Sequence, residues 1–224
     1  MLQVYDNQLV AERKGIYSIE KYLISRRLMY WQVYLHKTVI AAEQMLVKAL
    51  SRARELAYNG TEVFATPALY GFLYPGPLSD RPLEDPGLLL DQFARLDDND
   101  IFASIKAWAD HPDRILSLLS ANLLNRRLSA IRIQKTPWDL NQIEHLRTKA
   151  VKEFGFSMHE AEFLVYSDVI TNNTYEEKDD QILFLDNSGQ LIPLSEASDI
   201  INVSLLNRAD RKYYLCYPKW LFAG

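Results

Sequence analysis

Between Gly15 and Gly60 the chain runs for 44 residues, Ile16 to Asn59, without a glycine or a proline. Leu, Met, Ala, Lys, Arg and Glu, which cost little in a helix, dominate it. Its apolar residues, among them Ile19, Tyr22, Leu23, Tyr30, Val33, Tyr34, Ile40, Leu46 and Leu50, recur at helical spacing and not in strict alternation. The pattern predicts one very long helix, or two with a slight break, opened by a Ser18 cap and closed at the Asn59-Gly60 turn signal. Charge is concentrated on the same stretch: nine Lys/Arg against three Glu between Glu12 and Arg54 leave +6, so the remainder carries −10 of the net −4. Such a split prepares a face for an anion or an acidic partner, or simply solvates a helix flank.

The rest of the chain is more broken. Five of the nine prolines fall in residues 61–87, so a helical piece over Glu62–Leu73 is expected to give way to an ordered, largely irregular connection over Tyr74–Gly87. Tyr70, Phe72 and Tyr74 favour packing over a passive linker. Asp97, Asp98 and Asn99 offer caps for a helix at Asp100–Asp110, His111-Pro112 opens another through Ser120, and Arg126–Gln134 reads as extended. Thr136-Pro137 carries start chemistry for a helix that stops at Gly155. Ser157 and Glu160 match a capping box, although Phe163–Tyr166 reads better as a strand. Gln181–Leu185 and Gln190–Leu194 flank a turn and predict a hairpin; Ser195–Ser204 suggests a short helix and Lys212–Tyr217 a strand. The fold class is therefore mainly α with a small C-terminal α+β unit, divided as a helical region over 1–155 and an α+β subdomain over 156–224.

Several chemistries are excluded at this level. A single cysteine, Cys216, allows neither an intramolecular disulfide nor a Cys-rich zinc site, and its apolar setting predicts a buried, inert thiol. No apolar run reaches the length of a membrane span and the N-terminus has no signal-peptide core, which points to a cytoplasmic protein with no membrane partner. The four histidines are scattered, no Gly-rich phosphate loop exists, and the acidic run Asp97–Asp100 lacks the glycine and terminal glutamate of a calcium loop.

What remains is the long helix. At about 100° per residue, Arg26, Tyr30, Val33, Tyr34 and Lys37 share one face. That strip suits a phosphorylated ligand: Arg binds phosphate oxygens bidentately, Lys adds a point charge, and Tyr stacks or donates a hydrogen bond. The competing arrangement buries Tyr30 and Tyr34 and lets the cations snorkel outward. Single-stranded nucleic acid is a third option, through Tyr17, Tyr22, Tyr30, Trp31 and Tyr34, but the acidic remainder and the lack of a recognised module disfavour it.

The stretch GIYSIEKYLISRRLMYWQVYLHKTVIAAEQML resembles the segment that follows the catalytic core of HD-domain phosphohydrolases of the deoxynucleoside triphosphate triphosphohydrolase-like group. Arg26-x7-Tyr34-x-His36-Lys37 is the specific part; LDDNDIFASIKAW, Asn125–Arg127 and RKYYLCYPKWL add to it. The likeness is to bacterial more than animal members. It implies a divalent metal held by a His … His-Asp … Asp set upstream of the matched region. This chain has no His-Asp dipeptide. The resemblance therefore implies the C-terminal part of such an enzyme, inactive alone, with no cofactor in this chain and a divalent metal in the intact protein. It implies that Arg26 and Tyr34, with Lys37 of the same strip, hold a substrate nucleotide. It also makes Arg13, Lys14 and Arg126 candidates for an effector nucleotide, with Val10 standing where nucleotide-regulated relatives carry a basic residue. The expected partners are a nucleotide, the missing HD region and, because a lone forty-residue helix needs cover, a second copy of the chain. An independent helical interaction or oligomerisation module is the alternative.

Overall fold

The computed structural model describes residues 2–76, 86–172, 181–186, 188–198 and 210–222. In chain order these form β1 (Leu2–Tyr5), β2 (Gln8–Glu12), α1 (Ile16–Met29), α2 (Lys37–Tyr58), α3 (Pro67–Leu73), α4 (Pro86–Arg95), α5 (Asp98–Trp108), α6 (Arg114–Leu124), β3 (Ala130–Gln134), α7 (Leu140–Phe154), α8 (Met158–Leu164), β4 (Tyr166–Asn172), β5 (Leu183–Leu185), β6 (Leu191–Pro193), α9 (Leu194–Ala197) and β7 (Asp210–Tyr217). The protein is mainly helical with a small antiparallel-strand unit towards the C-terminus, as the sequence pattern predicts. One sheet has the order β1–β2–β5–β6 and a second the order β3–β7–β4.

The chain packs as two compact units, each drawn from separated segments. The first takes residues from Met1–His36, Ile133–Pro137 and Asp168–Tyr214. Its four-stranded sheet starts with an N-terminal hairpin whose tip, Asp6-Asn7, has positive φ at both residues (48° and 59°), the I′-like geometry that short Asp and Asn side chains tolerate. Sequence patterning did not flag this hairpin. β2 then pairs in parallel with β5, Ala11 opposite Phe184. A small core forms from Ala11, Ile16, Leu23, Phe184, Leu194 and Ala197. Glu20 is buried in this unit and accepts a hydrogen bond from the Ser198 hydroxyl.

The second unit takes Lys37–Arg132, Trp138–Ser167 and Leu215–Gly224. α2 packs on α6 along a line of small residues, and Ala49 and Ala53 have no exposed surface. Their size lets the backbones approach, and Ile115 and Leu116 of α6 become fully buried; each contributes about 1.5–3 kcal/mol of hydrophobic stabilisation. Trp108 is sealed in the same core and its indole N–H donates to the Phe64 carbonyl at 2.8 Å.

The long helix is corrected in detail. Ser18 lies inside α1, which grows from a 3-10 turn at Arg13–Gly15 without a side-chain cap. Helix α1 ends at Met29, a π-helical turn covers Tyr30–Tyr34, and Leu35 leaves helical geometry before α2 begins. The Leu35 N–H donates to the Tyr30 carbonyl at 2.7 Å, an i to i+5 bond. The 100° projection therefore fails beyond Met29, and Arg26, Tyr34 and Lys37 do not share one continuous α-helical face.

Elsewhere the caps are sharper than the pattern alone indicated. Asp97 with Asp100 and Ser157 with Glu160 each form a full capping box. The Ser157 box starts a real helix whose Ala161, Phe163 and Leu164 are buried, and extended backbone begins only at Val165. Asp113 caps α6, and Asp139, not Thr136, caps α7. Only Ala130–Gln134 of the expected extended run 126–134 is a strand, because Arg126 turns the chain with φ of 55°. Most of the expected connection at 74–87, and the end of the Ser195–Ser204 helix, lie outside the described residues. Tyr74 is packed as expected: its hydroxyl donates to the Val63 carbonyl and accepts from the Val63 N–H, both at 2.7 Å.

Candidate functional site

In the first unit, the last turn of α1 and the π turn bring three of the expected groups together. The Arg26 guanidinium lies over the Tyr30 ring, 5.6 Å from its centroid, and the Tyr30 and Tyr34 rings follow at 5.1 Å with 46° between planes. Hydrogen bonding to the Tyr30 hydroxyl holds the guanidinium above its ordinary pKa, against a smaller opposing effect of burial. Tyr34 is 52% exposed. The π turn is fixed from another side by Lys212 of β7, whose ammonium sits 3.4 Å from the Trp31 ring centroid. π turns occur frequently where a helix must re-aim side chains at a functional site. Here the chain sets a half-buried guanidinium and two phenols in sequence, groups whose N–H and O–H donors suit an anionic ligand.

Lys37 is exposed at the first position of α2, in the second unit. Arg13 and Lys14 are exposed on the turn that opens α1. Lys14 pairs with Glu12 at 2.5 Å, which holds that exposed carboxylate below its usual range. Arg126 is exposed just past the end of α6. Cys216 is buried as expected, and desolvation pushes its thiol pKa up.

The second unit holds a polar cluster that the motif reading missed. Arg52, 9% exposed, donates to both carboxylate oxygens of Asp113 at 3.2 and 2.7 Å and to Glu55 at 3.2 Å. Its guanidinium also stands 5.5 Å from the centroid of the Phe163 ring. Glu55 continues to His159 at 2.7 Å, and Glu162 receives Arg147 at 3.1 Å. Asp113 in turn accepts from the Leu116 N–H, while its own N–H donates to His111 Nδ1. Burial alone would raise the Asp113 carboxyl; the Arg52 and Leu116 hydrogen bonds and the Arg52 charge outweigh it and leave the group below its ordinary value. The signal was present in the sequence: Arg52 falls between Ala49, Ala53 and Leu56 on the apolar phase of α2, a place where a charge requires a buried partner. Among the described residues no group of three or more His, Cys, Asp or Glu side chains is placed to hold a metal ion. No described helix is long and apolar enough to cross a membrane.

The family described as an HD associated region matches residues 1–65, which include α1, the π turn and α2. A phosphohydrolase crystal structure from Bacteroides thetaiotaomicron superposes on 97% of this chain with a TM-score of 0.86 and 44% identity. The chain is related to HD-domain proteins. The uncharacterized protein YwfO of Bacillus subtilis is 30% identical over 219 residues. A hypothetical protein of Aquifex aeolicus, 18% identical with a TM-score of 0.57, shares the fold. The chain spans about half the length of each of these proteins: 54% of the Bacteroides chain, 48% of YwfO and 47% of the Aquifex chain.

Proposed function

We infer that this chain is the C-terminal, substrate-wall and regulatory part of an HD-family, metal-dependent phosphohydrolase of the dNTP triphosphohydrolase-like group, acting on (deoxy)nucleotides. The observation that carries the reading is the 44% identity to a protein named phosphohydrolase, across 97% of this chain but 54% of that one. The Arg26–Tyr30–Tyr34 series supports a binding role, since a guanidinium flanked by phenols suits phosphate and sugar oxygens. In this reading Arg26 neutralises phosphate charge, Tyr34 orients the sugar or phosphate, and Lys37 adds positive charge. Arg13, Lys14 and Arg126 remain candidates for an effector nucleotide. In this reading the divalent metal belongs to the intact protein, and the chain by itself is expected to be catalytically silent.

The test is calorimetric titration of the 224-residue chain with dGTP and dATP, wild type against Arg26→Ala, beside a phosphate-release assay with Mg²⁺ or Mn²⁺. Micromolar binding weakened at least tenfold by the substitution, with no hydrolysis, is the expected result. Metal-dependent hydrolysis that disappears on chelation overturns the silence, and equal binding by both proteins overturns the site.

A second reading rests on a different observation. Tyr17, Tyr22, Ile24, Leu28, Met29 and Val33 are all exposed on α1 and the π turn, an accumulation of large apolar side chains that a partner surface could cover. An oligomerisation module would cover it with a second copy. Light scattering separates the readings: a concentration-independent monomer rules out self-association.

A further inference from the structure

In the helical unit a cavity of about 480 Å³ sits beside the turn that carries Arg126 and is lined by none of the residues assigned above to nucleotide binding. Its floor is apolar, formed by Met45 of α2, Leu119 of α6 and Leu164 of α8, all buried. The lining also includes Arg127 and Lys219, both exposed, and the half-buried Trp220, so the cations mark its solvent side. Neither cation forms an ion pair among the described residues, in a chain whose net charge is −4. The volume lies in the range of sites for small organic ligands, which are mostly apolar with a few placed polar groups.

The mouth is held in shape before any ligand arrives. At the end of α6, the Arg127 N–H donates to the Asn122 carbonyl at 2.8 Å and the Arg126 N–H to the Leu123 carbonyl at 3.2 Å, with Arg126 in the left-handed conformation. This is a Schellman closure. It satisfies the Asn122 and Leu123 carbonyls at the end of the helix and fixes the backbone that carries Arg127. On the other side, Lys219 and Trp220 belong to a 3-10 turn anchored by Lys149, whose ammonium donates to the Leu221 carbonyl. The Trp220 ring packs against Phe154 with centroids 4.0 Å apart, so the indole is set rather than swinging. The Asn122 side chain also lines the cavity and adds an amide donor and acceptor.

We propose that this cavity is a binding site for a small aromatic anion, its ring on the apolar floor beside Trp220 and its phosphate or carboxylate head between Arg127 and Lys219. An apolar floor alone would take a neutral hydrocarbon. Two cations without partners beside it favour a ligand that brings the opposite charge, and a fixed indole favours a flat body.

The experiment is calorimetric titration of the 224-residue chain with 1-naphthyl phosphate, 1-naphthoate and the neutral control 1-naphthol. Saturable one-site binding of at least one anion, at least tenfold tighter than naphthol, is expected. The double variant Arg127→Gln/Lys219→Gln, checked for an unchanged helical circular dichroism spectrum, weakens that anion at least tenfold. Phosphate-only or carboxylate-only binding identifies the head. Leu118→Trp, which fills the cavity from a half-buried lining position without touching a charge, abolishes binding and decides the matter should the double variant misfold. Naphthol binding as tightly as the anions, either folded variant binding like wild type, or no binding up to millimolar ligand, overturns the proposal.

Discussion

Helices α1 and α2 are cut from the same Gly- and Pro-free run, yet they live in different ways. α2 buries Ile40, Ala41, Met45, Ala49, Arg52, Ala53, Leu56 and Ala57, which recur at helical spacing, so one face carries its contacts. α1 buries Ile16, Glu20 and Leu23 and leaves Tyr17, Tyr22, Ile24, Leu28 and Met29 exposed around the rest of its circumference. The two segments have similar helix-forming residues, so propensity does not separate them. Small residues at a helical repeat do: they admit a neighbouring helix closely, whereas a rod carrying large side chains on all sides satisfies one neighbour and keeps surface for another. The difference teaches that α2 is built to pack along one face, whereas α1 keeps most of its large side chains at the surface.

Three measurements sharpen or break that contrast. The largest effect is expected for Arg52→Ala, which leaves Asp113 and Glu55 without their shared cation inside the α2 scaffold. Breaking a buried pair in this way costs about 3–5 kcal/mol, and urea unfolding of the chain measures it. A loss below 1 kcal/mol would mean that α2 does not depend on its charged anchor.

A middling effect is expected for Asp113→Asn, about 1.5–3 kcal/mol at neutral pH. The folded-state pKa of Asp113 is lowered. Folding therefore favours the carboxylate, and its contribution is complete above the ordinary aspartate pKa of about 3.9 and fades as pH falls through the lower folded value. The stability gap between wild type and variant should narrow on acidification below about pH 4. A gap constant from pH 7 to 3 would remove the charge from the explanation.

The smallest effect is expected for Tyr22→Ser on the open side of α1, within about 0.5 kcal/mol. Tyr22 is 61% exposed and loses little packing. A loss above 1.5 kcal/mol would show that α1 is covered in solution and would bring the two helices closer in character.

Local chemistry was legible to different depths along the chain. Caps made by a residue and its neighbour three positions on, such as Asp97 with Asp100, could be read because the bonding partners are close in sequence. The hairpin of β5 and β6 was legible for the same reason. The N-terminal hairpin was not, since Asp6-Asn7 is a weaker turn signal than Asn-Gly and strands of four and five residues carry little periodicity. Of the candidate site, the helical spacing placed Arg26, Tyr30 and Tyr34 on one strip, but the π turn that re-aims the chain after Met29 and separates Lys37 from it has no sequence marker.

Helical content, the β5–β6 hairpin and the buried state of Cys216 follow from residue type and near-neighbour spacing, because those effects act over a few residues. The break between α1 and α2, the pairing of Arg52 with Asp113 sixty-one positions away, and the parallel docking of β2 on β5 were decided by tertiary structure. Each depends on groups far apart in sequence meeting in a low-dielectric or sterically restricted place, where a single extra hydrogen bond or a missing Cβ outweighs local preference.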